Sequence, residues 1–118
     1  MKIVDSYSFG KITIDGKTFT NDVIITSKKI LEDNWWRQEG HELNVSDLEK
    51  VLDYDPDIFA MGIGNSGRVD IQSEAEEKLA EENKNLKSAK TQQAAQIYND
   101  LIKSNKYNKV CGGFHLTC

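Results

Sequence analysis

The sequence predicts an α/β fold: a single three-layer domain over residues 1–118, with a central mixed sheet, an N-terminal β-hairpin annex and flanking helices. Three observations carry this. The first third alternates β-branched and aromatic residues around Asp15-Gly16, a hairpin pattern. Two segments, Ile58–Gly62 and Val110–Thr117, are apolar without alternation, as strands covered on both faces are. Capped segments of helical period stand between them. Hairpins followed by β-α-β-α-β give three layers with an antiparallel annex.

In order, SFGKITIDGKTFT holds a hairpin whose Asp15-Gly16 supplies the positive φ angles of a type I′ turn. Tyr7 and Phe9 share one strand parity and Ile12 and Ile14 the other, which predicts a bulge or bend at Gly10. DVIIT (Asp22–Thr26) is expected to be the third strand and KKILED the fourth. NWWRQEGHELN has no period and is expected to be an ordered loop. Ser46-Asp-Leu-Glu49 reads as a capping box opening a short helix, with Val45, Leu48, Val51 and Leu52 inward. Pro56 ends that segment.

After the strand Ile58–Gly62 and a glycine loop, Ser73 and Glu76 form a second capping box, for a helix reaching about Asn83. Leu86–Lys90 is a polar strand candidate. Thr91 is expected to cap the helix QQAAQIYNDLIKS, with Ala94, Tyr98, Leu101 and Ile102 inward. KVCGGFHLTC closes the chain as a buried strand, in which Gly112 and Gly113 let a helix approach closely. Right-handed crossovers make this strand parallel to Ile58–Gly62, so their C-terminal ends share the edge where such sheets bind ligands. His115 and the Cys118 carboxylate then reach a pocket rim beside the glycine loop. An antiparallel last strand would put His115 at the opposite edge.

Composition excludes several classes. Hydrophobic residues are 38% and charged residues 29%, a globular balance. The net charge of −4 opposes nucleic-acid binding, which depends on neutralising phosphates. The acidic run Glu74–Glu82 and the later lysines read as solvated helix faces. No apolar run has membrane length, and MKIVDSYSFG lacks a signal-peptide core, so a cytoplasmic location is expected. Cys111 and Cys118 on one strand would lie about 23 Å apart and cannot bond. HLTC puts its cysteine last, which is not a prenylation box.

Three motifs offer chemistry. Gly62-Ile-Gly64-Asn-Ser-Gly67 matches G-x-G-x-x-G after a strand, but Arg68-Val-Asp-Ile separates it from the next helix, and Lys90 stands where a ribose-binding acid is needed. The preferred reading is a tight turn; the alternative is an anion site on its backbone N–H groups, with Arg68 beside them. Trp35-Trp36-Arg37 shares a loop with Glu39 and His41. At least one indole should pack inward, and an aromatic with an arginine also suits a contact surface. His41, His115 and Cys118 lack metal-site spacing, so no metal or cofactor is expected. A Cys118–His115 nucleophile pair fails on strand parity and shows no orienting group.

SFGKITIDGKTF, WWRQEGH, MGIGNSG, AAQIYNDL and FHLTC occur in that order. Together they resemble the adipogenesis-associated domain-containing proteins, a family that also includes, distantly, a mitochondrial complex I assembly factor. The resemblance spans nearly the whole chain. It implies a mixed sheet with a hairpin annex and flanking helices, and no established enzymatic activity: such proteins are mostly of unknown function, and those with roles act in assembly or regulation. The residues shared by position would be Trp36, Gly62, Gly64, Tyr98, Asn99, His115, Thr117 and Cys118, none with an agreed catalytic role. ENKNLKSAKT is more polar than the family's strand, which implies a short or edge strand there.

The functional expectation is therefore a non-catalytic cytoplasmic binding, assembly or regulatory module. Its partner is a protein, and it is a monomer or weak homodimer, with no nucleic acid and no membrane. The candidate surface comprises Trp35, Trp36, Arg37, His41, Gly62, Gly64, Gly67, Arg68, His115 and Cys118. The alternative is a small-anion or metabolite-binding protein, or an undetected enzyme, using the glycine loop, Arg68 and His115.

Overall fold

Asp15 and Gly16 take φ angles of 50° and 80°, and the chain reverses on them. A computed structural model describes residues 1–118. The turn joins β2 (Lys11–Ile14) to β3 (Lys17–Phe19), and β1 (Val4–Ser8) pairs with β2 on its other side. Of the bulge or bend expected at Gly10, the bend is there, as a full turn at φ 78°, and the bulge is not. Gly10 lies in the β1–β2 turn, and the register shift falls between Val4 and Ser6. A side chain from the last helix holds the edge of β1 that faces away from β2. Asn99 Oδ1 accepts from the Val4 N–H and Asn99 Nδ2 donates to the Val4 carbonyl, both at 2.8 Å. The asparagine thus takes the place of a strand partner. Asn99→Ala should lower the unfolding free energy by roughly 2–3 kcal/mol, since Val4 is buried and a buried polar group left unpaired costs about 1–3 kcal/mol. Urea denaturation checks this, with Asn99→Asp also expected to lose stability, because a carboxylate cannot donate to the Val4 carbonyl.

The main sheet has the order β5-β4-β10-β7-β9. These are β4 (Val23–Thr26), β5 (Ile30–Glu32), β7 (Ile58–Gly62), β9 (Asn85–Ala89) and β10 (Val110–Phe114). β10 lies parallel to β7 and antiparallel to β4, so the sheet is mixed and β10 is central. Every residue of β10 is buried, as an apolar strand covered on both faces should be. The polar β9 is an edge strand.

Two cores cover the sheet. On one face, the β1–β3 annex and α3 (Thr91–Ser104) pack Ile12, Ile14, Tyr98 and Ile102 against Val23, Ile25, Ile58 and Phe114. On the other, α1 (Glu49–Tyr54), α2 (Ser73–Glu81) and the 34–48 segment pack Trp35, Leu48, Val51 and Leu79 against Ile24, Phe59, Met61 and Cys111. No helix is long and apolar enough to cross a membrane.

The helix starts depart from expectation. The first capping box is Asn44 with Asp47, two residues early, because a 3-10 turn over Val45–Leu48 precedes α1. Gln72 caps α2 by backbone alone, without a side-chain bond from Ser73. Thr91 lies inside α3, whose cap is Lys90, and its hydroxyl bonds elsewhere. The last strand stops at Phe114, so residues 115–118 leave the sheet and the strand-parity argument for His115 and Cys118 does not hold. Two short strands, β6 (Glu42–Leu43) and β8 (Asp70–Ile71), pair in parallel where loops were expected.

Candidate functional site

Because β7 and β10 are parallel, their C-terminal ends meet at one edge. There the chain beyond β10 is stitched to the glycine loop. The His115 N–H donates to the Gly62 carbonyl at 3.1 Å, Asn65 N–H to the Thr117 carbonyl at 2.6 Å, and Arg68 N–H to the Cys118 main-chain oxygen at 3.1 Å. Thr91 completes the seam. Its hydroxyl donates to the His115 carbonyl at 2.6 Å and accepts from the Gly64 N–H at 2.9 Å. Two amides expected to hold an anion therefore already hold the chain's own oxygens.

The loop before β6 is fixed from below. Trp35 is buried, and its indole N–H donates to the Asp47 carbonyl at 3.2 Å. The Asp47 carboxylate accepts from the Gln38 and Asn44 N–H groups at 3.0 and 2.8 Å. Gly113 makes room for the Trp35 ring, since a Cβ there would lie 2.9 Å from Trp35 Cζ3 and from Phe59 Cζ. Its neighbour Trp36 points out and is 80% exposed.

Between this loop and residues 20–22 lies a cleft of about 490 Å³, lined among others by Asp22, Trp36, Arg37, His115 and Thr117. Its floor is a charged cluster. Arg37, with its side chain only 3% exposed, donates through Nη1 to Asp22 Oδ2 at 2.8 Å and through Nη2 to the Gly40 carbonyl at 3.0 Å. Its guanidinium lies 5.3 Å from the Trp35 ring centre, at cation–π distance. Asp22 Oδ1 accepts from the Leu116 N–H at 2.8 Å.

His115 Nδ1 stands 2.7 Å from Asp22 Oδ2 and 2.8 Å from Arg37 Nη2. Arginine only donates and a carboxylate only accepts, so Nδ1 satisfies one of them. Arg37 Nη2 already has Gly40, and we assign the proton to Nδ1, donated to Asp22. Nε2 then faces the Thr117 hydroxyl at 3.3 Å. Burial pushes the Asp22 carboxyl up. Donation from His115, the Leu116 N–H and Arg37 outweighs burial and holds it below its usual range. Tyr7, which donates to the Leu116 carbonyl at 2.8 Å, is raised by burial and by the charge of Asp22.

Trp35, Trp36, Arg37 and His115 thus converge as the sequence suggests. The others lie outside the cleft lining. His41 is exposed and offers its carbonyl to the Asp70 N–H at 2.8 Å. Gly62 packs against Thr91 and Phe114, and Gly67 neighbours Lys90. Gly64 touches the His115 ring from behind, while the exposed Arg68 side chain makes no ion pair. Cys118 contributes its main-chain oxygen.

Sequence reasoning missed Asp22, the group that orients His115, because it reads simply as the start of a strand. It also missed Thr20, Asn21, Asn34 and Gln38 in the cleft walls. No three His, Cys, Asp or Glu side chains gather to hold a metal ion. A second hollow of about 310 Å³, at Lys29, Leu31, Lys50, Asp53 and Tyr54, gathers no comparable cluster, and Lys50 there pairs with Glu32 at 2.8 Å.

The fold recurs in solved structures. A conserved hypothetical protein of Pyrococcus horikoshii is 25% identical over 98% of both chains, with a TM-score of 0.79. A Xanthomonas campestris protein is 14% identical over 98% of this chain and 85% of its own, with a TM-score of 0.82. A Bordetella pertussis protein described as a Mth938-like domain is 16% identical over 98% and 85%, with a TM-score of 0.78. No curated protein matches. Residues 4–115 match the profile of DUF498, described as a protein of unknown function (DUF498/DUF598), and the chain belongs to that family.

Proposed function

We propose that the chain is a non-catalytic cytoplasmic binding or assembly module, a monomer or weak homodimer, that engages a protein partner through the cleft beside Trp36. The observation that carries this is the pair of adjacent tryptophans on one pinned loop, Trp35 buried and Trp36 80% exposed. An indole held out of the core leaves a large apolar surface in water, and such residues dominate protein contacts when covered. Arg37, next in the loop, is paired with Asp22 and lies over the Trp35 ring, which makes it a support for the surface. The resemblance to adipogenesis-associated proteins, of which those with roles act in assembly or regulation, is in keeping with this reading. The anion-site alternative gains no support from the amides of Asn65 and Arg68, which already bond Thr117 and Cys118.

The test is recovery of a co-purifying partner by wild type and by Trp36→Ala. The variant should keep its urea midpoint, because an exposed side chain contributes within about 0.5 kcal/mol. Partner recovery should fall at least about tenfold, the loss of one contact hot spot. Undiminished recovery by a folded Trp36→Ala protein would reject the surface.

A further inference from the structure

The floor and the walls of the cleft differ in chemistry. On the floor, the charges of Asp22 and Arg37 are paired with each other, and Asp22 also bonds His115. In the walls, Thr20, Asn21, Asn34 and Gln38 are exposed, with side-chain amides and hydroxyls free of protein partners. The lining therefore offers hydrogen bonds of both polarities and no unpaired charge.

A second exposed aromatic lies on a turn next to one wall of this cleft, outside its lining. The large hydrophobic residues left exposed are Met1, Phe9 and Trp36. Phe9 sits on the β1–β2 turn. Ile12 pairs with Phe19, which carries Lys11 alongside Thr20 in the cleft wall. The Gly10 N–H donates to the Leu116 carbonyl at 2.7 Å, next to Thr117 in the same wall. The turn that carries Phe9 thus lies next to the wall made by residues 20–22 and Thr117, and Trp36 belongs to the wall made by residues 34–40.

We infer that the cleft takes an extended, uncharged segment of a partner polypeptide, with large apolar side chains set against Trp36 and Phe9. This rests on the binding-module reading and names its ligand. Asparagine and glutamine side chains carry a donor and an acceptor together, which is what a peptide N–H and C=O require. A charged segment would give up hydration and find no free counter-charge in the lining.

The test is selection of random displayed dodecapeptides on the purified chain. Enriched peptides should carry aromatic or large aliphatic residues and little net charge. Their binding should change less than about threefold between about 0.05 and 0.5 M NaCl, because no free ion pair forms. Trp36→Ala should weaken it about tenfold and Phe9→Ser severalfold, while Lys103→Ser on α3 leaves it unchanged. Both aromatics are exposed, so the variants should fold. Enrichment of charged peptides with steep salt dependence would overturn the inference, as would indifference to Phe9→Ser. So would binding of oligosaccharides with no peptide enriched. In each of these cases a partner that still needs Trp36 leaves the binding-module reading standing.

Discussion

Gly64→Ala is expected to lower the unfolding free energy by at least about 3 kcal/mol, at the upper end for overpacking combined with backbone strain. Gly64 sits at φ +104°, a conformation side chains rarely adopt. A Cβ there would also lie 2.3 Å from the main-chain carbon and oxygen of Cys118, and 3.1 Å from His115 Cδ2. The nearest obstacle is backbone, held by the Asn65 and Arg68 N–H groups, so it cannot swing aside as a long side chain would. Equilibrium urea denaturation measures the loss, and NMR of the His115 ring should report a changed environment. A loss below about 1 kcal/mol would mean that residues 115–118 yield easily and that the seam does not hold His115 in place.

Asp22→Asn is the second large effect. It keeps the shape but leaves the Arg37 guanidinium, 3% exposed, without its counter-charge. Removing one partner of a buried pair costs about 3–5 kcal/mol, and a value towards the lower end is expected because Asp22 is itself 15% exposed. The loss depends on pH in a defined direction. The folded-state pKa of Asp22 is lowered despite burial, through His115, the Leu116 N–H and Arg37. A lowered folded pKa gives stability that is fully present above the unfolded value, near 4, and is lost as pH falls through the folded value. The gap between wild type and Asp22→Asn should therefore be widest near neutrality and narrow below about pH 4. A double variant, Asp22→Asn with Arg37→Met, should be more stable than Asp22→Asn alone, because it removes the orphaned charge as well. A gap independent of pH would show that the pair does not carry the effect.

The fold was legible where local chemistry decides it. Asp15-Gly16 needs positive φ angles and makes the hairpin it signals. The unbroken apolar runs at Ile58–Gly62 and Val110–Phe114 mark strands buried on both faces, and they form the parallel pair at the centre. The elements that went astray are those whose polar groups find distant partners. Thr91 looks like a helix cap, but its hydroxyl bridges Gly64 and His115. Asp47 lies inside the expected capping box, but its carboxylate instead takes the N–H groups of Asn44 and of Gln38, nine residues back. Asn99, to which the sequence assigns no structural role, completes the hydrogen bonding of Val4.

The candidate site was half legible for the same reason. Trp35-Trp36-Arg37 stood out because two indoles on one loop invite opposite fates. Asp22 bonds a histidine 93 residues away, and no spacing in the sequence announces that pairing. The glycine loop matched a phosphate-binding pattern, yet its close neighbour is the chain's own terminal segment.

The central claim is that the surface around Trp36 meets a protein. The most direct measurement is photocrosslinking in the source cell, with benzoylphenylalanine in place of Trp36 and, separately, of Lys103. Lys103 is exposed near the C-terminal end of α3, well away from the cleft lining. The expected result is a discrete protein adduct from position 36 and none from position 103. No adduct at position 36, or the same adducts from both positions, would contradict the account.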